Sequence, residues 1–194
     1  MRKSILLTLT LLIMVSLFSC AFAQTADQYF DQGLDLFNRN NYQQAIDCFS
    51  KSIQLEPSYE AYYNRGLCYD NLNNKQTAID DYSAAIRLNS KDPDVFYNRG
   101  ILYDDLGRYQ AAINDYTAAI NLDANYINAY YNRGITYDNM ENYQAAINDY
   151  NTTLRLDPNA ADAYYARGIS YEKMGKTAEA NADFAKAKAL GYVE

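Results

Sequence analysis

Arginine and aspartate recur in step along this chain, with Arg65, Arg99, Arg133 and Arg167 each standing sixteen residues before Asp81, Asp115, Asp149 and Asp183. A guanidinium and a carboxylate held in such a register can form a forked ion pair, which is structural chemistry rather than catalysis. Other carboxylates lie side by side, as in Asp80-Asp81 and Asp104-Asp105, but adjacent helical residues point about 100° apart and make no acid/base dyad. The 194 residues include no histidine, which removes the usual general base, the Ser-His and Cys-His dyads and the His-containing zinc sites. No phosphate-cradling glycine loop and no Cys-x-x-Cys cluster is present. No catalytic residue, metal site or cofactor is therefore expected. A formal charge of −7 argues against a nucleic-acid partner, because phosphate binding needs clustered Lys and Arg. Asn151-Thr152-Thr153 matches a glycosylation sequon inside a predicted helix and is read as chance. Cys48 and Cys68 could pair in an oxidising compartment, but both sit where a small apolar residue would serve, so buried free thiols are preferred.

The elements that must position these residues begin after an address. Met1-Arg2-Lys3 is a basic head, Ser4 to Phe18 an apolar run, and Ala21-Phe22-Ala23 a small-residue site, which together read as a secretory signal cleaved after Ala23. The exported chain, periplasmic or secreted, would start at Gln24 with 15 basic and 24 acidic residues, a net −9. The alternative takes Leu17-Phe18-Ser19-Cys20 as a lipobox and leaves a membrane anchor on Cys20; Phe18 fits that pattern poorly.

Beyond residue 23 the chain repeats itself. Gly33, Gly66, Gly100, Gly134 and Gly168 recur at intervals of 33, 34, 34 and 34 residues. An alanine stands twelve residues after each (Ala45, Ala78, Ala112, Ala146, Ala180), and an aromatic ring four further on (Phe49, Tyr82, Tyr116, Tyr150, Phe184). Within each unit apolar residues return at helical spacing, predicting two amphipathic helices of about four turns. Polar pairs such as Asn40-Asn41, Asn73-Asn74 and Glu141-Asn142 supply the turns between them. The glycines fall inside the first helix, at a cost of about 1 kcal/mol each against alanine, which close packing on Ala78 and its equivalents is expected to offset. One such pair cannot hide its apolar face alone, and stacking five makes a continuous core.

This pattern resembles the tetratricopeptide repeat family over Ala26 to about Leu190, with repeats at 26–58, 59–92, 93–126, 127–160 and 161–194. The resemblance implies an all-α solenoid of five helix-turn-helix units in a right-handed superhelix, whose first helices line a concave groove. On those positions the groove would carry Phe30, Tyr63, Tyr97, Tyr131 and Tyr165, then Asn64, Asn98 and Asn132, and the acids Asp70, Asp104 and Asp138. Tyr69, Tyr103, Tyr137 and Tyr171, with Tyr82, Tyr116 and Tyr150, map to core positions. A family subset grips acidic C-terminal peptides with a clamp of Lys, Arg and Asn; here Phe30, Tyr63, Tyr97, Tyr131 and Tyr165 replace the lysine, Leu34, Leu67, Ile101, Ile135 and Ile169 replace one asparagine, and only the sixth-position asparagine survives.

The Arg–Asp ladder is expected to join the two helices of each repeat, since repeat 1 loses both members together, carrying Gln32 and Cys48. Pairing between neighbouring repeats is the alternative. The reading that follows is a non-enzymatic, exported adaptor binding a peptide or protein segment, basic or neutral rather than acidic. Two other readings stand beside it: a homo-oligomer built by end-to-end packing, and an enzyme with an unrecognised site.

Overall fold

A computed structural model describes residues 24–193. The signal segment with Cys20 and the Ala-x-Ala site lies outside the described residues. Ten α-helices and no strand occur among the described residues. They form five pairs: α1 (Ala26–Asn38) with α2 (Tyr42–Leu55), α3 (Tyr59–Asn71) with α4 (Lys75–Leu88), α5 (Pro93–Asp105) with α6 (Tyr109–Leu122), α7 (Ile127–Asn139) with α8 (Tyr143–Leu156), and α9 (Ala161–Lys173) with α10 (Thr177–Ala189).

Side-chain oxygens start several first helices. Thr25 and Gln28 make a reciprocal capping box on α1, Ser58 accepts from the Ala61 amide, and Asp92 accepts from Asp94 beside Pro93 at the first helical position. Each first helix ends on a left-handed residue: Asn40, Asn73, Gly107, Glu141 or Gly175, with φ between 59° and 73°. The amide after it reaches back to a carbonyl five residues earlier, as Asn41 does to Leu36 at 2.9 Å and Asn142 to Tyr137 at 2.9 Å, which turns the chain sharply into the second helix. Glu141 is the one member of this set without the glycine or asparagine that suits that conformation.

Ala45, Ala78, Ala112 and Ala146 are fully buried between the helices of their pairs, and Phe49, Tyr82, Tyr116 and Tyr150 are buried with them. The helical glycines answer to those rings rather than to the alanines expected above. A Cβ on Gly66 would lie 2.7 Å from the Tyr82 ring and one on Gly100 2.8 Å from Tyr116, so the first helix crosses directly over the aromatic face. Every helix packs on its sequence neighbours, and the first helices also touch across repeats, α1 on α3, α5 on α7 and α7 on α9. That brings the first helices together on one side of the stack and makes them its inner layer. Cys48 and Cys68 are free and buried; burial pushes both thiols up, Cys68 to about 12 with help from the Asp81 charge.

Glycine therefore has opposite values at two places. Gly100→Ala should lower stability by about 2 kcal/mol despite the better helix propensity, because the methyl displaces a buried ring. Glu141→Gly should raise it by about 0.5–1 kcal/mol by relieving the left-handed backbone. Urea unfolding followed by circular dichroism measures both, and a more stable Gly100→Ala protein would show that the ring retreats at no cost.

Candidate functional site

Along the inner layer the fifth residue of each first helix presents an aromatic ring. Each leans on the buried aromatic of its own repeat: the centroid distances are 5.7 Å for Phe30–Phe49, 5.9 Å for Tyr63–Tyr82, 6.0 Å for Tyr97–Tyr116, 5.9 Å for Tyr131–Tyr150 and 5.5 Å for Tyr165–Phe184. The ring row is thus an extension of the core, fixed by packing.

The asparagines beside it are not simply offered to a ligand. Asn98 donates through Nδ2 to the Tyr63 hydroxyl and Asn132 to the Tyr97 hydroxyl, both at 3.0 Å, so each ties its repeat to the one before. The ring preceding Asn64 is Phe30, which has no hydroxyl, and Asn64 donates instead to the Glu60 carbonyl at 2.8 Å. One N–H of each amide is therefore committed, which leaves the side-chain carbonyl oxygen and the second N–H without a partner among the described residues.

The acids differ among themselves. Asp104 accepts from Thr136 at 2.7 Å, and Asp138 accepts from Tyr150 at 2.8 Å and from Ser170 at 2.8 and 2.9 Å. Thr136 and Ser170 occupy the tenth position of their repeats, where the third repeat has Leu102, so Asp70 receives no such hydroxyl. The Tyr82 hydroxyl nearby is, among the described residues, buried without a hydrogen-bond partner. Burial and the Asp105 charge hold Asp70 above the usual carboxylate range against the pull of Lys75, which itself pairs with Asp105 at 2.7 Å. Burial raises Asp138 as well, while the hydroxyls of Tyr150 and Ser170 pull it down. Pockets open between repeats on this face. One of about 330 Å³ has Tyr131, Asp138, Asp162, Tyr165 and Tyr192 in its wall, and one of about 180 Å³ has Ile101, Asp104, Tyr116 and Asn132.

The arginine ladder faces away from these pockets, into the seams between repeats. Arg65 forks onto Asp81 at 2.8 and 2.7 Å, Arg99 onto Asp115 at 2.7 and 2.7 Å, Arg133 onto Asp149 at 2.8 and 2.8 Å, and Arg167 onto Asp183 at 2.7 and 2.7 Å. The remaining nitrogen crosses to the preceding repeat, reaching Ser50, Ser83, Thr117 and Asn151 at 3.0, 2.9, 2.8 and 2.6 Å. Pairing within a repeat and linkage between repeats thus coexist on one guanidinium. The acceptors escaped the sequence reading, although each directly follows the buried ring at 49, 82, 116 or 150, always as a small hydroxyl or amide. Asn151, first met as a sequon, is one of them. Each arginine also stacks on rings, such as Arg99 5.9 Å from Phe96 and 5.6 Å from Tyr103. Tyr103 and its equivalents Tyr69, Tyr137 and Tyr171 are therefore half-buried seam residues, whereas Tyr82, Tyr116 and Tyr150 are wholly inside.

Models of the tetratricopeptide repeat match residues 30–93, 82–114, 102–141, 139–175 and 162–190, an unbroken run through all five helix pairs. The chain is a tetratricopeptide repeat protein. Among solved structures it is similar to a crystal structure of MamA protein, with 28% identity, a TM-score of 0.82, and coverage of 85% of this chain and 91% of that one. YrrB, described as a TPR protein with an unusual peptide-binding site, shares 24% identity at a TM-score of 0.79 over 86% of each chain. A MamA from Desulfovibrio magneticus RS-1 shares 20% identity at a TM-score of 0.82, covering 87% of this chain and 96% of that one. Both of these last are likenesses of fold. Among curated proteins none matches the chain.

Two measurements check the tetratricopeptide geometry. Arg99→Leu strands the buried Asp115 carboxylate and should cost about 3 kcal/mol, Ser83→Ala about 1 kcal/mol, and a double-mutant cycle should give clear coupling for Arg99 with Asp115 and none for Arg99 with Asp81. Coupling confined to the Asp81 cycle would place the pair in the wrong repeat.

The second concerns Asp70. Its folded pKa lies above its unfolded one, so the fold is handicapped at neutral pH and relieved as pH falls through the raised value towards the ordinary 3.8. Asp70→Asn should gain a few tenths of a kcal/mol at pH 7, discounted for solvent screening, and lose that advantage below about pH 4. Stability curves at pH 7, 5 and 4 test this, and a constant difference between variant and parent would remove titration as the cause.

Proposed function

We propose that the protein is an exported, non-enzymatic adaptor that binds a peptide or protein segment in its inner groove. The observation that carries this reading is the fixed row of Phe30, Tyr63, Tyr97, Tyr131 and Tyr165, with pockets of about 330 and 180 Å³ opening between repeats beside it. Rigid rings with polar tips give contact area at little loss of side-chain freedom, and amides and carboxylates around them suit peptide groups. YrrB, of similar fold, is described as having a peptide-binding site. The carboxylates on this face favour basic or neutral segments, with affinity falling as salt rises. Export rests on the basic head, apolar run and small-residue site of residues 1–23. Among the described residues no helix is long and apolar enough to cross a membrane.

Residues at the two ends of the array disfavour end-to-end stacking. Where later first helices bury Ala61 and Cys68, Val95 and Leu102, Ala129 and Thr136, or Ala163 and Ser170 against the preceding repeat, α1 exposes Gln28 and Asp35. Continuation onto a second copy would set Asp35 in the position that meets the twelfth residue of the preceding repeat, Glu172, and would match Gln32 with Ala185, neither of which can make the arginine link. A growing stack would thus bring two carboxylates together.

The test uses a library of twelve-residue peptides with a photo-crosslinking residue installed at Tyr97 in the groove or at exposed Asn114 on the outer layer. Basic and neutral peptides should crosslink from Tyr97 and not from Asn114, and bind at least about tenfold more tightly than acidic ones at low salt. Micromolar binding of acidic C-terminal peptides would overturn the charge preference, and equal crosslinking from both sites the groove. The intact mass of the exported form should begin at Gln24, and an acylated mass beginning at Cys20 would replace the free protein by an anchored one.

A further inference from the structure

Past the last helix the chain folds back, and Tyr192 lies flat on Tyr165 with ring centroids 4.2 Å apart and planes within 19°. Both rings, with Tyr131, wall the pocket of about 330 Å³ between the fourth and fifth repeats, and Asp138 and Asp162 stand in the same wall. Among the described residues no Lys or Arg lines it. Two local differences set this pocket apart from the rest of the groove. Ala166 stands where Asn98 and Asn132 hold the tyrosines of the preceding repeats, so no amide occupies the space beside the Tyr131 hydroxyl. Asp94, at the second position of its repeat, accepts from the Tyr126 hydroxyl at 2.6 Å, whereas Asp162 at the same position accepts no side-chain hydrogen bond among the described residues. Burial and then the Asp162 and Tyr192 charges raise the Tyr131 phenol, so these groups share one field.

Rings with a carboxylate beside them are a combination this molecule already completes four times on its seam side, each time with arginine. Arg167, for example, lies 5.5 Å from the Tyr164 ring centre and 5.8 Å from Tyr171 while it forks onto Asp183. The groove pocket presents the same aromatic and acidic parts with no cation among the described residues of its wall. A planar guanidinium can stack on a tyrosine face and bond a carboxylate edge at once, which the ammonium of lysine cannot do. We infer that this pocket takes an arginine side chain of the bound peptide, laid against Tyr165 and Tyr192 and forked onto Asp162. The inference rests on the groove being the peptide site and assigns the residue that one segment of it selects.

The experiment is a titration of the full chain, with ¹³C-labelled tyrosine rings, by acetyl-Gly-Ser-Arg-Ser-Gly-amide and by its twin with citrulline in place of arginine. Citrulline keeps the shape and removes the charge. Ring signals of Tyr131, Tyr165 and Tyr192 should shift with the arginine peptide, and the citrulline twin should bind at least about tenfold more weakly. Asp162→Asn should weaken the arginine peptide by about tenfold without altering the melting curve, since Asp162 is exposed and has no side-chain hydrogen bond among the described residues. Tyr192→Phe should retain binding and Tyr192→Ala should weaken it severalfold. Equal binding of the two peptides, or no effect of Asp162→Asn, would overturn the inference. Shifts at Tyr63 and Tyr97 alone would also overturn it, and would leave the groove itself standing as a peptide site. The absence of shifts at any groove tyrosine would overturn it too, with crosslinking from Tyr97 deciding separately whether the groove binds peptides.

Discussion

A guanidinium bonded to two oxygens of its own repeat and one of the repeat before it ties four of the five helix pairs to their predecessors. The pairs need that tie because none can cover its apolar face alone, and the alanines and small side chains at the seams fit in many registers. The forked bond to Asp81, Asp115, Asp149 or Asp183 fixes the rotation of the guanidinium, and the third bond to Ser50, Ser83, Thr117 or Asn151 then fixes the stagger between repeats. Side-chain exposure of 7–9% at the four aspartates means that breaking one such unit leaves a charge in a dry seam, so the cost of slipping is large. The rings of Tyr62, Phe96, Tyr130 and Tyr164 lie beside the same guanidinium groups and exclude water from them.

Periodicity made the helices, their pairing and their left-handed turns readable from the sequence, because each rests on local chemistry repeated five times. Joint loss of Arg and Asp in the first repeat pointed to the ion pair for the same reason. What was harder to read lies across the repeat boundary. Asn98 looks like a ligand for a peptide until the Tyr63 hydroxyl is placed 3.0 Å from it, and Gly66 looks like a partner for Ala78 until the Tyr82 ring is set under the helix. Both depend on side-chain direction and on the angle at which helices cross, neither of which spacing alone determines. The hydroxyl row at 50, 83 and 117 was visible but looked like ordinary helix surface, since Ser83 and Thr117 also bond carbonyls of their own helix.

The groove is the part of the molecule where repetition is relaxed. Its fifth-position rings stay aromatic because each supports the core, whereas the second, sixth and tenth positions vary from repeat to repeat. A change at the tenth or even the fifth position alters a neighbour in the adjoining unit: Leu102 instead of a hydroxyl leaves Asp70 without a donor among the described residues, and Phe30 instead of tyrosine sends Asn64 back to its own helix. Polar character along the inner face is therefore graded by pairs of residues in successive repeats, not by single positions.

That coupling makes a scaffold of near-identical units differ from one inter-repeat segment to the next. Between the third and fourth repeats the floor carboxylate Asp104 is bonded to Thr136 and the Tyr97 hydroxyl to Asn132, so that segment offers rings with their polar tips already engaged. Between the fourth and fifth, Ala166 withdraws the amide while Asp138 takes hydroxyls from Tyr150 and Ser170, and Asp162 at the rim accepts no side-chain hydrogen bond among the described residues. Between the second and third, Asp70 on the floor has no donor among the described residues, and neither has the Tyr82 hydroxyl near it a partner among them. The floor carboxylates Asp70, Asp104 and Asp138 thus differ in the hydroxyls they accept from, and the rim carboxylate Asp162 stands beside only the last of them. A surface of five equal repeats would present the same side chains at every step; here single substitutions at the sixth and tenth positions break that translational symmetry without touching the arginine seams that hold the stack together.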